Sequence, residues 1–278
     1  MKTQREKAED FRSLHRGKRI LILPNGWDVP SSRVFEDAGF PAVATSSAGM
    51  MVSLGYPDGE EIDRQTLLSA VRRIAKVLAV PLSVDVVAGF GDTPKEVVTT
   101  VRGVIEAGAI GMNIEDFVHA TKELYAVEKM VEKLKAIKAL GESMRIPLVI
   151  NARTDALRFA PGDQESKLKE AIRRGLAFRD AGADCVYPMG LTDAATISVF
   201  VKALNFPVNV MVRRGLPPLK ELEKLGVARL SFGPTASYAA MGLLKRAARE
   251  VLEKGTYESL VEGAITFDEL NSLAVPRD

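Results

Sequence analysis

The sequence predicts an α/β fold, a (β/α)8 TIM-type barrel with an extra N-terminal helix and C-terminal helices, and three observations predict it. Short apolar runs rich in Val, Ile and Leu recur along the 278 residues, separated by longer stretches of helical periodicity. Such runs suit strands buried on both faces, as in a parallel sheet covered by helices. The phrases "EDAGF", "IEAGA", "RDAGA" and "EKLGV" each set a Gly near a helix end, where a left-handed residue closes the helix before the next strand. The β-α units number about eight, which closes a barrel of this type. A doubly wound open sheet is the competing architecture, but no G-x-G-x-x-G follows the first strand.

In order, residues 1–17, with "TQREKAEDFRSLHRG", read as an added helix. The strands are then "RILILPNG", "AVATSS", "PLSVDV", "AIGMNIED", "PLVINART", "DCVYPMG", "PVNVMV" and "ARLSFG". Amphipathic segments such as "DRQTLLSAVRRIAKVLA" and "ESKLKEAIRRGLAFRDAGA" lie between them. Residues 256–278, with "YESLVEGAITFDELNSLA", read as a tail of one or two helices. No Pro/Ser-rich linker divides the chain, so 1–278 is expected to form one domain.

Composition narrows the partners. The chain is 46% hydrophobic and 27% charged, with 38 basic and 36 acidic residues and a net charge of +2. No basic block with interleaved aromatics points to nucleic acid. The only cysteine, Cys185, lies in an apolar run and reads as core, so a disulfide framework and a cysteine zinc site are excluded within the chain. His15 and His119 share no ligand spacing and read as surface or loop residues. The N-terminus lacks an apolar signal core and no run is long enough to span a membrane, so a cytoplasmic protein is expected.

In such barrels chemistry gathers at the C-terminal strand ends. Those ends carry Asn25, Trp27 and Asp28; Thr45, Ser46 and Ser47; Asp85; Asn113, Glu115 and Asp116; Asn151, Arg153 and Asp155; and Asn209 with Arg213. Carboxylates from different strands facing an arginine suit a hard cation and an anionic substrate together. The competing reading is that Asp85 and Glu115 only cap helices and that Trp27 is core. An arginine at the end of an apolar strand, Arg153, calls for an anion in the barrel mouth. No lysine stands at a strand end for Schiff-base chemistry, and "RRGLPP" and "SFGPTA" make only a weak phosphate loop.

The stretches "LPNGWDVPSSRVFEDAGFPAVATSSAGMMVSLGYPDG", "SVDVVAGFGDTPKEVVTTVRGVIEAGAIGMNIED", "NARTDAL", "AGADCVYPMGLTD" and "PVNVMVRRGLPPLKELEKLGVARLSFGP" resemble, in order and nearly throughout, the isocitrate lyase and phosphoenolpyruvate mutase superfamily. Its carboxyvinyl-carboxyphosphonate phosphorylmutase-like members look most similar. The resemblance implies a Mg2+-dependent enzyme, with Mn2+ the alternative, that binds a 2-oxo acid and stabilises a pyruvate enolate. It implies Asp85 as direct metal ligand, with Asp58 and Glu115 acting through water. It implies Arg153 and the Thr45–Ser46–Ser47 turn at the substrate carboxylate, Trp27 as an aromatic wall and Asn209 near the mouth. It also implies a homotetramer of helix-swapped dimers.

Two departures from the family pattern bear on the reaction. The lyases' K-[KR]-C-G segment after "IED" is replaced by "FVHATKELYAVEKM", which holds no cysteine, so isocitrate-type cleavage is not expected. In the pattern D-x-[DE]-x-G-[YF]-G the second acidic residue is Val87, and an acidic position in a lyase "F-P-E" stretch is Met189. The expectation is therefore enolate chemistry of an oxaloacetate-decarboxylase or C–C lyase kind. A phosphonate P–C mutase or hydrolase, using Lys122, is the alternative, and a weakened 2-oxo-acid-binding barrel is a third.

Overall fold

The computed structural model describes residues 2–276, so Met1 and the last two residues of the expected 256–278 tail lie outside it. All eight expected strands form. They are β1 (Leu21–Leu23, resumed after Pro24 as Asn25–Gly26), β2 (Val43–Thr45), β3 (Leu82–Asp85), β4 (Gly111–Glu115), β5 (Val149–Thr154), β6 (Cys185–Pro188), β7 (Asn209–Met211) and β8 (Arg229–Ser231). Each pairs in parallel with the next from β1 to β6 and again from β7 to β8. A Val186↔Val208 bridge joins β6 to β7, and Leu21↔Arg229 begins the β8–β1 register that closes the ring. Pro24 lets β1 serve two neighbours. The half before it pairs with β8 and the half after it with β2, while its own carbonyl accepts the Ala44 N–H.

The four predicted helix-closing glycines, Gly39, Gly108, Gly182 and Gly226, have φ of 92°, 104°, 101° and 82°. A side chain at any of them would be strained whatever the space around it. Helices Arg64–Val77, Pro94–Glu106 and Val127–Ser143 bury Leu67, Val71, Val101 and Ile137 against the strands. Helix Gln4–Leu14 closes the N-terminal end of the barrel. Its Phe11 is fully buried against Gly111, where a Cβ would come within 2.8 Å of the ring, and Gln4 donates to the Ile105 and Ala109 carbonyls.

His15, expected at the surface or in a loop, lies in the turn that ends this helix but is buried there, with Nδ1 on the Phe11 carbonyl. The tail forms helices Glu258–Val261 and Phe267–Ser272, then returns to its own barrel, where Leu273 is buried and the Val275 carbonyl accepts from Arg33. No helix among the described residues is long and apolar enough to cross a membrane.

Candidate active site

Alternate residues of β3 to β8, Ser83 and Asp85, Asn113, Asn151 and Arg153, Tyr187, Asn209 and Met211, and Arg229 and Ser231, face a cavity of about 570 Å³ at the barrel mouth, as strand alternation allows. At the end of β3, Asp85 accepts hydrogen bonds from the Ser47 and Val87 backbone N–H groups at 3.2 Å and from Asn113 Nδ2 at 3.1 Å. Asn113 in turn accepts from Asn151 Nδ2, and the Asp85 N–H donates to Thr45 Oγ1. Asp85 pairs with no Lys or Arg among the described residues. Asp58 stands at the cavity rim, on the loop after helix Ser47–Ser53. Desolvation lifts its carboxyl above the usual range, and the Asp85 charge lifts it further.

The next strands carry an ion-pair network. Arg153 Nη1 meets Glu115 Oε2 at 2.6 Å, and its Nε and Nη2 fork onto Asp155 at 2.6 and 3.0 Å. Burial alone would lower the guanidinium's pKa, but Glu115 and Asp155 together hold it above its ordinary value. Glu115 Oε1 lies 2.5 Å from His119 Nε2. Burial raises the Glu115 carboxyl against the pull of Arg153 and His119, and the hydrogen bond to Glu115 raises the His119 imidazole. Below them Asp116 is held by Thr154, the Asp155 N–H and Arg174.

Comparison with known proteins decides what this barrel is. The family model for phosphoenolpyruvate phosphomutase matches residues 11–252. The chain belongs to that family. It is 32% identical to the 2-methylisocitrate lyase of Escherichia coli (strain K12) over 245 residues, covering 84% of this chain and 80% of the relative. It is 30% identical to the 2,3-dimethylmalate lyase of Eubacterium barkeri over 281 residues, covering 96% and 93%. A solved structure from Burkholderia cenocepacia J2315, provisionally named a lyase/mutase, aligns with a TM-score of 0.89 at 36% identity, covering 99% of both chains. The protein is thus an enzyme of the isocitrate lyase/phosphoenolpyruvate mutase superfamily, with the lyase or mutase chemistry of that group.

Within this family frame the residues expected at the site divide. Thr45, Ser46, Ser47, Asp58, Asp85, Arg153 and Asn209 all line the cavity, and Glu115 stands behind Arg153. Trp27 does not line it. Its ring borders a separate cleft with Met50, Arg73 and Ile74, and Tyr187, packed near Arg153, is the aromatic side chain of the cavity wall on β6. The Ser46 and Ser47 N–H groups, expected at a substrate carboxylate, are taken by the Gly26 carbonyl and by Asp85. Arg153 already has its anions, Glu115 and Asp155, so strand-end position alone did not make it a free cation. Asn25 is a brace, with its amide bonded to the Thr45 carbonyl and to the Phe232 and Gly233 N–H groups, and Asp28 caps helix Val29–Asp37.

Val87 explains part of the departure after β3. It holds φ 53°, rare for a β-branched residue, and buries its side chain with Met51, Ile62 and Phe90, away from the cavity. Buried Lys133 supports this loop from below, donating to the Ala88 and Gly91 carbonyls at 3.2 and 2.9 Å and sitting 3.8 Å from the Tyr125 ring centroid. Burial lowers the Lys133 ammonium to about 8. Lys122 is exposed at the tip of the hairpin formed by Phe117–Val118 and Glu123–Leu124, outside the cavity wall.

Sequence reading missed His119, Lys133, Arg158, Arg214 and Arg229. His119 stood in plain view four residues after Glu115, a spacing that usually signals a helix face and here spans a strand end and a hairpin. Arg229 opens a strand, where no catalytic side chain is sought. Cys185 is buried as expected, its thiol pushed up to about 12 by desolvation.

Proposed function

We propose that the protein cleaves a C–C bond in a small 2-oxo acid of the oxaloacetate type through a pyruvate enolate, as a divalent-metal-dependent lyase or decarboxylase. The observation that carries this reading is a cavity in which two carboxylates that pair with no Lys or Arg among the described residues, Asp58 and Asp85, face five arginines, Arg153, Arg158, Arg213, Arg214 and Arg229, of which only the first two are ion-paired. Such a wall selects an anionic substrate.

Among the described residues no three His, Cys, Asp or Glu side chains converge to hold an ion by themselves. The donor set still fits Mg2+ or Mn2+, which takes one or two carboxylates and completes its shell with waters and substrate oxygens. Asp85 has no cationic partner among the described residues, and its charge already presses on Asp58. Asp85 would hold the ion directly, and Asp58 and Glu115 through water. When bound, the ion supplies Lewis-acid stabilisation of negative charge on the keto oxygen.

The chain's own residues do the rest. The free edge of Arg153, with Arg213 and Arg214 across the mouth, grips the substrate carboxylate, and Thr45 and Ser46 orient it. In oxaloacetate the C3–C4 bond then breaks. CO2 leaves, and the electron pair becomes the enolate of pyruvate. A proton then returns to C3 from solvent at the cavity mouth.

The position of Lys122 outside the cavity wall removes the side chain that favoured a P–C mutase. The Glu115–Arg153 pair and Val87 favour one second reading, a barrel that binds a 2-oxo acid without turnover. Pyruvate release from oxaloacetate with Mg2+ decides between them. Turnover is expected, falling at least about 100-fold in Asp85→Asn, the scale of a lost charge-stabilising group. Pyruvate formed no faster than in buffer would remove the lyase reading.

A further inference from the structure

Barrel interiors of this type are usually filled with Val, Ile and Leu. Part of this one is polar and unsatisfied. Arg229 is 2% exposed, yet its Nε and Nη1 have no hydrogen-bond partner and no carboxylate within ion-pair distance among the described residues. Asn209, fully buried on the paired strand β7, leaves both amide atoms unpartnered. Ser83 Oγ and Asn151 Oδ1 are buried and unpartnered as well. All four side chains line the one cavity that also holds Asp85 and Arg153. Buried polar groups are almost always bonded, and a buried guanidinium without an anion is the rarest exception. Desolvation lowers the Arg229 guanidinium to about 10, as an unpaired cation requires.

We infer that Arg229, Asn209 and Ser83 form a second anion subsite inside the barrel, which takes the distal carboxylate of a dianionic substrate while Arg153 holds the 2-oxo-acid head. The inference rests on the oxaloacetate-type reading of the cavity and deepens it by assigning the residues that recognise the substrate's second carboxylate. The donors number enough for one oxyanion: two N–H groups of Arg229, the Asn209 amide and the Ser83 hydroxyl. The two spare acceptors, Asn151 Oδ1 and Asn209 Oδ1, take a hydroxyl or a water that enters with it.

Lactate and malate share a 2-hydroxy-acid head, differ by one carboxylate and are inert to decarboxylation, so they make a matched pair for calorimetry. Malate is expected to bind at least tenfold tighter than lactate to the wild-type protein. Arg229→Met, which removes an unpaired buried charge and keeps the side-chain length, should erase that preference and leave lactate binding within about threefold. Asn209→Ala, which keeps the charge, should reduce the preference, and it decides the matter if Arg229→Met does not fold. Equal affinity for the two acids in the wild type, or a preference that survives both substitutions, overturns the subsite. Oxalate serves as the control for the head-group site. If oxalate binds while malate shows no advantage, the subsite fails and the 2-oxo-acid reading stands. If oxalate does not bind either, both fail.

Discussion

Arg153 is gripped on two sides, bidentately by Asp155 and at its third nitrogen by Glu115, so its planar fork is fixed before any substrate arrives. A lysine cannot reproduce that fork. Arg153→Lys is expected to weaken oxalate binding by at least about tenfold and to lower stability by about 1–3 kcal/mol, because Glu115 and Asp155 are left short of partners. Calorimetry and a denaturant titration check the two effects. Unchanged oxalate affinity would mean that the carboxylate sits elsewhere in the mouth.

Val87 gives a second prediction at this scale. A carboxylate there would lie in the Met51–Ile62 cluster two residues from Asp85, so Val87→Asp should lose about 1–3 kcal/mol without a cation. Mg2+ should restore part of the melting temperature. A variant as stable as the parent and blind to Mg2+ would show that position 87 has no link to the ion. Residue types at strand ends located Asp85, Arg153 and Asn209, because alternation dictates which side chains face the cavity, whereas Asp58, on a loop, came only from the family resemblance. They could not locate Trp27 or reveal the Arg153–Glu115 pair, since χ angles and cross-strand neighbours follow from packing and are absent from the local sequence.

Helix Gln4–Leu14 is the element whose role the sequence least disclosed. Its amphipathic pattern predicted a helix, but only closure of the barrel shows that the helix plugs the N-terminal end and takes His15 inside. Desolvation, with Arg229 and the neighbouring arginines, depresses His15 from 6.5 to about 3. Between those values the unfolded chain binds a proton that the folded chain refuses. Stability from this group is therefore complete above pH 6.5 and is lost as pH falls toward 3, by at most about 1.4 kcal/mol per unit. Urea midpoints of the parent and of His15→Gln at pH 7 and pH 5 check this: the parent should lose more on acidification. Equal losses in both would place the acid sensitivity elsewhere, in the buried carboxylate network. The eight strands were legible because apolar runs between helix-closing glycines leave few alternatives. The hairpin after β4 was not, since its pairs Phe117↔Leu124 and Val118↔Glu123 carry no alternating pattern of useful length.

At the scale of the molecule, the long helix Thr235–Lys254 and the tail expose Tyr238, Met241, Leu244, Leu252, Val261 and Phe267. Leu252 is 87% exposed and Phe267 78%, more than isolated surface apolar residues explain. We propose that these faces meet in a homotetramer. Light scattering should report a mass near four times 30.2 kDa, and Leu252→Glu with Phe267→Glu should reduce it. A 30.2 kDa monomer in the parent would leave the apolar face without this explanation.

The central claim concerns one carboxylate, Asp85, which would hold a cation against an anionic substrate despite Val87. Calorimetric titration of oxalate, a planar mimic of the pyruvate enolate, with and without Mg2+ tests it most directly. The account predicts binding at least tenfold tighter with Mg2+ present, and loss of that gain in Asp85→Asn. Equal affinity with and without the ion, or no binding in either case, would contradict it.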